Sequence, residues 1–337
     1  MHIGVIGSGR IGVMHAVNAA KHPGVTKVTL AARNVQRLEE AAQRVRAEIS
    51  DSNTTVAITT DVAELLGQVT GVVIATSTPS HPALVRQAVA AHVPVLVEKP
   101  LALELDELES LAAELEAQPI PVMVAFQRRY DPAYQAVRKQ VAEGKLGTVR
   151  GGRAMAHDRR QIDLDYIPHS GGIWRDMVIH EFDAIPWVLG DEVVEVFARG
   201  ATLEEPTYQR HGDVDTAVVV LNFASGAMVT ITSSRRNEAG QDVRLEVFGT
   251  KNTIGVGYDE CLPVESVDPG AVDTGERYED FIARFEGAFE AEMHHFIQVI
   301  EGKAENLTPP SAGIASLKIA LAAAESVRTG LAVKLDK

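Results

Sequence analysis

Residues 171–183 read Gly171-Gly172-Ile173-Trp174-Arg175-Asp176-Met177-Val178-Ile179-His180-Glu181-Phe182-Asp183. At about 3.6 residues per turn, Asp176, His180 and Asp183 fall on one face of a helix. Trp174, Val178, Phe182 and Ile185 fall on another face, which suits burial. A histidine with a carboxylate one turn before it makes a general base with a partner that can orient its ring and stabilise its charge. Taken alone, Asp-x-x-x-His is more simply a solvated helix face, so the rest of the chain has to decide. A metal site is the obvious competitor. His180-Glu181 begins like H-E-x-x-H, but position 184 is Ala, and the adjacent His294 and His295 diverge on a helix, so no metal is expected.

The elements that would serve such a face begin at the N-terminus. His2 to Ile6 is short, apolar and β-branched, and stops at Gly7-Ser8-Gly9-Arg10-Ile11-Gly12 before a helical pattern. In G-x-G-x-x-G the first glycine permits a tight turn and the second lets backbone approach a pyrophosphate. The third lets the helix pack close to the strand, and the helix N-terminus supplies donors to the phosphates. The motif is weak by itself and strong when bracketed by strand and helix. A second strand, Lys27 to Ala32, leads into Arg33-Asn34, and no Asp or Glu occurs between Gly12 and Glu39. The acid that commonly holds the ribose hydroxyls of NAD is therefore missing, while Arg33 can pair with a 2′-phosphate. The expected cofactor is NADP, with NAD as the alternative if Arg33 only stacks on adenine.

Strand and helix patterns continue to alternate. Thr55 to Thr59 is strand-like, and Asp61 caps a short helix. Gly71 to Thr76 is an apolar run typical of a parallel strand covered on both faces. It ends in a polar turn carrying Thr76, Pro79 and His81 at a strand's carboxyl end, where ligands bind in such sheets. His81 is open to two readings, a cofactor contact or a residue of the next helix's first turn. Pro94 to Val97 delivers Glu98-Lys99-Pro100, in which an X-Pro bond fixes where the lysine points. A strand from Pro121 to Phe126 closes the series, followed by Gln127-Arg128-Arg129-Tyr130-Asp131-Pro132.

Beyond the Asp176 stretch the pattern changes. Residues 192–202, 214–223, 227–234 and 243–248 alternate apolar with polar, with Ala224-Ser225-Gly226 as a hairpin turn. The fold class expected is α/β: a Rossmann dinucleotide-binding domain over residues 1–122, then an α+β domain over 123–337 with a large, mostly antiparallel sheet. One face of that sheet is expected to meet a second subunit. Residues 291–300 and 311–329 are amphipathic helices, the last expected to dock back on the assembly.

Composition sets outer bounds. The 337 residues suffice for two domains, and 45% hydrophobic with 23% charged residues is globular. A net charge of −14 gives no concentrated basic surface for nucleic acid or an anionic membrane. The single cysteine, Cys261, rules out an intrachain disulfide. No apolar run reaches the roughly 18 residues of a membrane span. The start of the chain lacks the basic, then apolar, pattern of a signal peptide, so the expectation is a soluble cytoplasmic protein.

The Gly7-to-Gly12 loop, Glu98-Lys99-Pro100, the Gln127-to-Pro132 block and the Gly171-to-Asp183 block resemble, in order and spacing, the Gfo/Idh/MocA oxidoreductases. Within them the likeness is to the inositol 2-dehydrogenases. The resemblance implies a catalytic set of Lys99, Asp176 and His180. It also implies a cofactor site formed by Gly7, Ser8, Gly9, Arg10, Ile11, Gly12, Ala32, Arg33, Asn34, Thr76, Pro79, His81, Glu98 and Lys99. The implied reaction is oxidation of a secondary hydroxyl of a cyclic polyol, with the hydride going to NAD(P) and the proton to His180. Arg128, His157, Asp158 and Tyr166 are candidate polyol ligands beside Asp176 and His180. A homodimer or homotetramer through the second sheet is also implied. Two alternatives stand beside this: a glycoside-cleaving relative that retains its nicotinamide, and a non-catalytic nucleotide sensor. Two residues depart from the family pattern. They are Ala32, where NAD-preferring members have an acid, and Pro186, which should kink or end the helix about a turn past His180.

Overall fold

The computed structural model describes residues 1–50, 52–270 and 275–335. The chain divides into two compact units, Met1–Gln127 with Gly287–Ile314, and Arg128–Glu286 with Ala315–Lys337.

The first unit is built by strict alternation: β1 (His2–Ile6), α1 (Arg10–Lys21), β2 (Lys27–Ala31), α2 (Val35–Glu48), β3 (Thr55–Thr59), α3 (Val62–Leu66), β4 (Gly71–Ile74), α4 (His81–Ala90), β5 (Val95–Glu98), α5 (Leu105–Glu116) and β6 (Val122–Ala125). The six strands form one parallel sheet in the order β3-β2-β1-β4-β5-β6. β1 pairs with β2 from His2–Lys27 to Ile6–Ala31, and with β4 from Ile3–Gly71 to Ile6–Ile74. The strand order therefore reverses between β1 and β4, and the carboxyl ends of these strands frame the crevice where such sheets bind ligands. All four β4 residues are buried, as a strand covered on both faces requires.

In the second unit come α6 (Pro132–Ala142), β7 (Val149–His157), α7 (Gly172–Asp176), α8 (Ile179–Leu189), β8 (Val193–Ala201), α9 (Pro206–Arg210), β9 (Thr216–Phe223), β10 (Met228–Ser234), β11 (Asp242–Gly249), β12 (Thr253–Val256) and α10 (Phe281–Arg284). After α11 (Glu286–Ile300) the chain ends in α12 (Ala312–Thr329) and β13 (Val333–Lys334). The second sheet has seven strands in the order β12-β11-β7-β10-β9-β8-β13, all antiparallel neighbours except β7 and β10. β9 and β10 alternate buried with more exposed residues and meet at a turn over 224–226.

The structure differs from the sequence reading at the domain boundary and at Pro186, and adds one strand and one helix placement. β7, an interior strand of this sheet, carries Gly151-Gly152 and no clean alternation, so periodicity does not reveal it. A Cβ on Gly151 would lie 2.3 Å from the Met228 carbonyl oxygen and one on Gly152 2.5 Å from that of Glu246, so close strand approach demands the glycines. The first unit continues past residue 122 to Gln127, because β6 is the edge strand of its sheet, and it also takes in α11 from Gly287 on. α11 packs against the start of β4, where a Cβ on Gly71 would meet the Ile300 side chain at 2.5 Å. α12 belongs to the second unit from Ala315, where the Ala198 amide of β8 donates to Ser326 Oγ at 2.9 Å. Finally, α8 does not end at Pro186 but runs through it to Leu189 and stops at Gly190, which has φ 63°. The break instead precedes His180, between Asp176 and Ile179.

Candidate active site

In the first unit, the loop after β1 fits a dinucleotide. Gly7 has φ +128°, and a Cβ there would lie 2.2 Å from the Ala75 carbonyl oxygen; a Cβ on Gly12 would lie 2.2 Å from that of Gly7. Both positions are closed to any side chain, whereas Gly9 has open space around it. Backbone can thus be approached at Gly9, at the N-terminus of the 12-residue α1, where free amides and the helix dipole favour phosphate. Ser8, Arg10 and Ile11 complete this turn. At the end of β2, Ala32 is half-buried and Arg33 exposed. Asn34 is committed locally, since its Oδ1 accepts the Arg37 amide at 3.0 Å as the N-cap of α2.

The turn after β4 is internally bonded: Thr76 and Ser80 hydroxyls lie 2.7 Å apart, with Pro79 inside a 3-10 turn over Thr78–Ser80. His81 is 1% exposed, and both ring nitrogens face carbonyl oxygens, Nδ1 that of Pro100 at 2.9 Å and Nε2 that of Thr76 at 3.0 Å. It therefore ties this turn to the Lys99–Pro100 turn, and the reading as a cofactor contact gives way to that structural one. The Lys99–Pro100 bond is cis. Glu98 accepts a hydrogen bond from His15 Nε2 at 2.8 Å. Burial pushes the Glu98 carboxyl up, but the His15 bond, with the neighbouring charge of Lys99, brings it below its ordinary value. Glu98 is thus spoken for by α1 and braces the strand end that presents Lys99.

In the second unit, two of the sequence blocks lock together. Arg128 donates to Glu181, both buried, and Arg129 makes a two-armed pair with Asp183 at 3.0 and 2.6 Å. Asp131 caps α6 by accepting the Ala133 and Tyr134 amides. Burial pushes the Glu181 and Asp183 carboxyls up, against the pull of their arginines. Arg128, expected as a polyol ligand, is 5% exposed and consumed by this pair. Asp183, expected beside Asp176 and His180, is likewise consumed by Arg129. The helix break between α7 and α8 explains why one continuous wheel misplaced it.

Asp176, the last residue of α7, accepts from Arg235 Nη1 at 2.7 Å and from the Tyr166 hydroxyl at 3.5 Å. Arg235 also reaches Asp213 Oδ2 at 3.4 Å. Burial works against the Arg235 charge, but Asp176 and Asp213 more than offset it and tighten its hold on the proton. Asp158 accepts from Gln241 Nε2 at 2.8 Å; burial pushes its carboxyl up, opposed by that bond and by Arg235. Tyr166, Asp158 and Asp176 thus gather around one guanidinium, and His180 follows one short turn after Asp176. His157 does not join them. It continues the exposed row Met228–Thr230–Thr232, with Nε2 3.0 Å from Thr232 Oγ1, on the opposite face of the sheet from buried Val229 and Ile231.

Arg235, Asp213 and Gln241 escape the sequence pattern. The only signal is an arginine pair at the end of a strand, and nothing local separates Arg235, 1% exposed, from Arg236, whose side chain is 48% exposed and pairs with Glu238. Among the described residues no group of three or more His, Cys, Asp or Glu is placed to hold a metal, and no helix is long and apolar enough to cross a membrane.

Residues 1–126 match the model of the oxidoreductase family with an NAD-binding Rossmann fold, and residues 134–255 match that of the GFO/IDH/MocA C-terminal domain. The chain is 34% identical over 340 residues to the myo-inositol 2-dehydrogenase of Thermotoga maritima, covering 100% of this chain and 99% of that protein. It is 31% identical to the scyllo-inositol 2-dehydrogenase (NAD(+)) of Bacillus subtilis, covering 98% and 95%. The crystal structure of a myo-inositol dehydrogenase from Corynebacterium glutamicum superposes with a TM-score of 0.87 at 28% identity, covering 100% and 99%.

Proposed function

As the chain belongs to the Gfo/Idh/MocA oxidoreductase family, we propose that it oxidises a secondary hydroxyl of an inositol, or a closely related cyclic polyol, to the ketone with NAD(P)+. The observation that carries this reading is the Asp176 cluster: a carboxylate held by Arg235 and Tyr166 one turn before His180, in a chain alike over its full length to inositol dehydrogenases. The loop from Gly7 to Gly12, with Ala32, Arg33 and the turn at Thr76 and Pro79, holds the dinucleotide. When bound, the nicotinamide supplies the hydride acceptor. His180 takes the hydroxyl proton as general base. Asp176 favours the imidazolium that results, and its link to Tyr166 supports an acceptor for a second ring hydroxyl. Lys99 donates to the reacting oxygen as negative charge develops there. Asp158 and Gln241 add polar groups for the remaining hydroxyls, because a polyol buried with unpaired hydroxyls binds poorly.

The cofactor preference proposed is NADP+, resting on Ala32 and exposed Arg33. The open face of the second sheet, with Val218 46%, Met228 58% and Phe248 38% exposed, supports assembly into a homodimer or homotetramer. The deciding experiment measures nicotinamide reduction with myo- and scyllo-inositol and a panel of sugars, using both cofactors. Stoichiometric reduction of NAD(P)+ by an inositol is expected. Turnover of glycosides without net reduction would replace this reading with the cofactor-retaining one.

A further inference from the structure

Within this second unit, α7 has five residues, too short to hold its own shape, since helices well under about 12 residues are marginal without tertiary support. Its two ends are nevertheless tied together by one ion pair, Arg235 with Asp213. At the start, the Ile173 amide donates to Asp213 Oδ1 at 2.8 Å. At the end, Asp176 accepts from Arg235 Nη1, while Arg235 Nη2 reaches back to the other oxygen of Asp213. The Arg235 guanidinium lies over the Tyr208 ring at 5.5 Å, which fixes its plane. We propose that Arg235 is a positioning residue, clamping both ends of α7 through Asp213 and Asp176 and so setting the place and charge of Asp176 for the reaction. This rests on the dehydrogenase reading above. A lysine could not substitute, because a single ammonium cannot serve two carboxylates with fixed divergent geometry.

The clamp also has an electrostatic consequence. Titratable groups beside the Asp176–Arg235 pair include Asp213 before β9, Asp158 after β7, Tyr166 on the 3-10 turn Leu164–His169 and Tyr208 on α9, with His180 four residues farther along on α8. Arg128 stands farther off and is neutralised by Glu181. Arg235 is thus a buried cation set among three carboxylates, Asp176, Asp213 and Asp158. Without it their negative charge would make His180 hold its proton more tightly, and oxidation, which needs the neutral ring, would require higher pH.

The test uses the full chain with its preferred NAD(P)+ and an inositol, comparing wild type with Arg235→Met, Arg235→Lys and Asp213→Asn. In Arg235→Met, kcat should fall ~100-fold, the cost typical of a reacting group displaced by about an ångström, while the KM for NAD(P)+ stays put. The acid limb of the pH profile should move up by about one unit. Arg235→Lys should restore the limb's position but not kcat, and Asp213→Asn should lower kcat with little movement of the limb. Thermal unfolding gives the folded fraction, to which rates are normalised. Normalised rates and a pH profile like those of wild type in Arg235→Met or Arg235→Lys would overturn the proposal. So would failure of both variants to fold, which would make the residue structural. If wild type oxidises no inositol, the functional reading fails separately. The clamp is then judged by the ring titration of His180, followed by NMR without substrate and assigned with His180→Gln. Its midpoint should rise in Arg235→Met, and an unmoved midpoint would overturn the proposal.

Discussion

Replacing Arg128 by Met tests the pairing of the Gln127-to-Pro132 and Gly171-to-Asp183 blocks. Arg128 and Glu181 have side-chain exposures of 6% and 1%, so the substitution leaves a carboxylate stranded away from water. Removing one partner of such a pair costs ~3–5 kcal/mol. For a unit of this size, that lowers the unfolding midpoint by about 10 °C. The pH dependence distinguishes a stranded charge from lost packing. Burial already pushes the Glu181 carboxyl above its ordinary value with Arg128 in place, and loss of the arginine removes the main opposing influence. A folded-state pKa raised above the unfolded one makes stability greatest below the unfolded value and diminishes it as pH rises toward the folded value. The Arg128→Met deficit should therefore be small near pH 4.5 and widen toward pH 8. Replacing both residues, Arg128→Met with Glu181→Leu, should recover most of it, because the stranded group is gone. Thermal unfolding by circular dichroism between pH 5 and 8 reads all three proteins. A deficit below about 1 kcal/mol, the value of an exposed pair, and flat with pH, would refute the reasoning.

Lys99→Ala should abolish most turnover while dinucleotide binding, followed by NAD(P)H fluorescence, stays largely intact; near wild-type kcat would remove Lys99 from the chemistry. Oxidation should rise with pH through one apparent ionisation belonging to the His180–Asp176 pair, and His180→Ala should lose that rise with most activity. An unchanged profile in the mutant would end the assignment. Ala32→Asp should reverse or strongly erode a preference for NADP+ in kcat/KM, by restoring a ribose acceptor and repelling the 2′-phosphate; a wild type that clearly favours NAD+ would show that Arg33 only stacks on adenine. Glu292 on α11 is fully buried, neither oxygen has a hydrogen-bond partner, and burial, with the charge of Glu98, raises its carboxyl well above the ordinary value. The native state thus loses stability as pH climbs from about 4.5 toward that raised value. Glu292→Gln should therefore gain in unfolding temperature, relative to wild type, more at pH 8 than at pH 5; a constant difference would count against a buried proton.

Much of the first unit was legible because its signals are local. Each strand of a covered parallel sheet is an apolar run, and each turn at a carboxyl end announces itself with Gly, Pro, Ser or Thr. The glycine spacing at Gly7, Gly9 and Gly12 reports a backbone geometry that few other sequences would need. β7 was not legible, because its Gly151-Gly152 pair answers to the carbonyl oxygens of Met228 and Glu246, far away in the chain. The break between α7 and α8 was equally hidden, and with it the separation of Asp183 from Asp176.

What the sequence determined by itself was the kind of protein this is: the alternating elements of its first unit, its dinucleotide loop, its family and the candidate set Lys99, Asp176 and His180. What only the tertiary structure decided was how its charges are shared out. Arg128 and Arg129 go to Glu181 and Asp183, and Asp176 to a guanidinium some sixty residues away in the chain. Neighbouring arginines 235 and 236 read alike along the chain. Just past the end of β10 they part into opposite environments, because only the folded second unit brings Asp176 and Asp213 to Arg235 and leaves Arg236 beside Glu238.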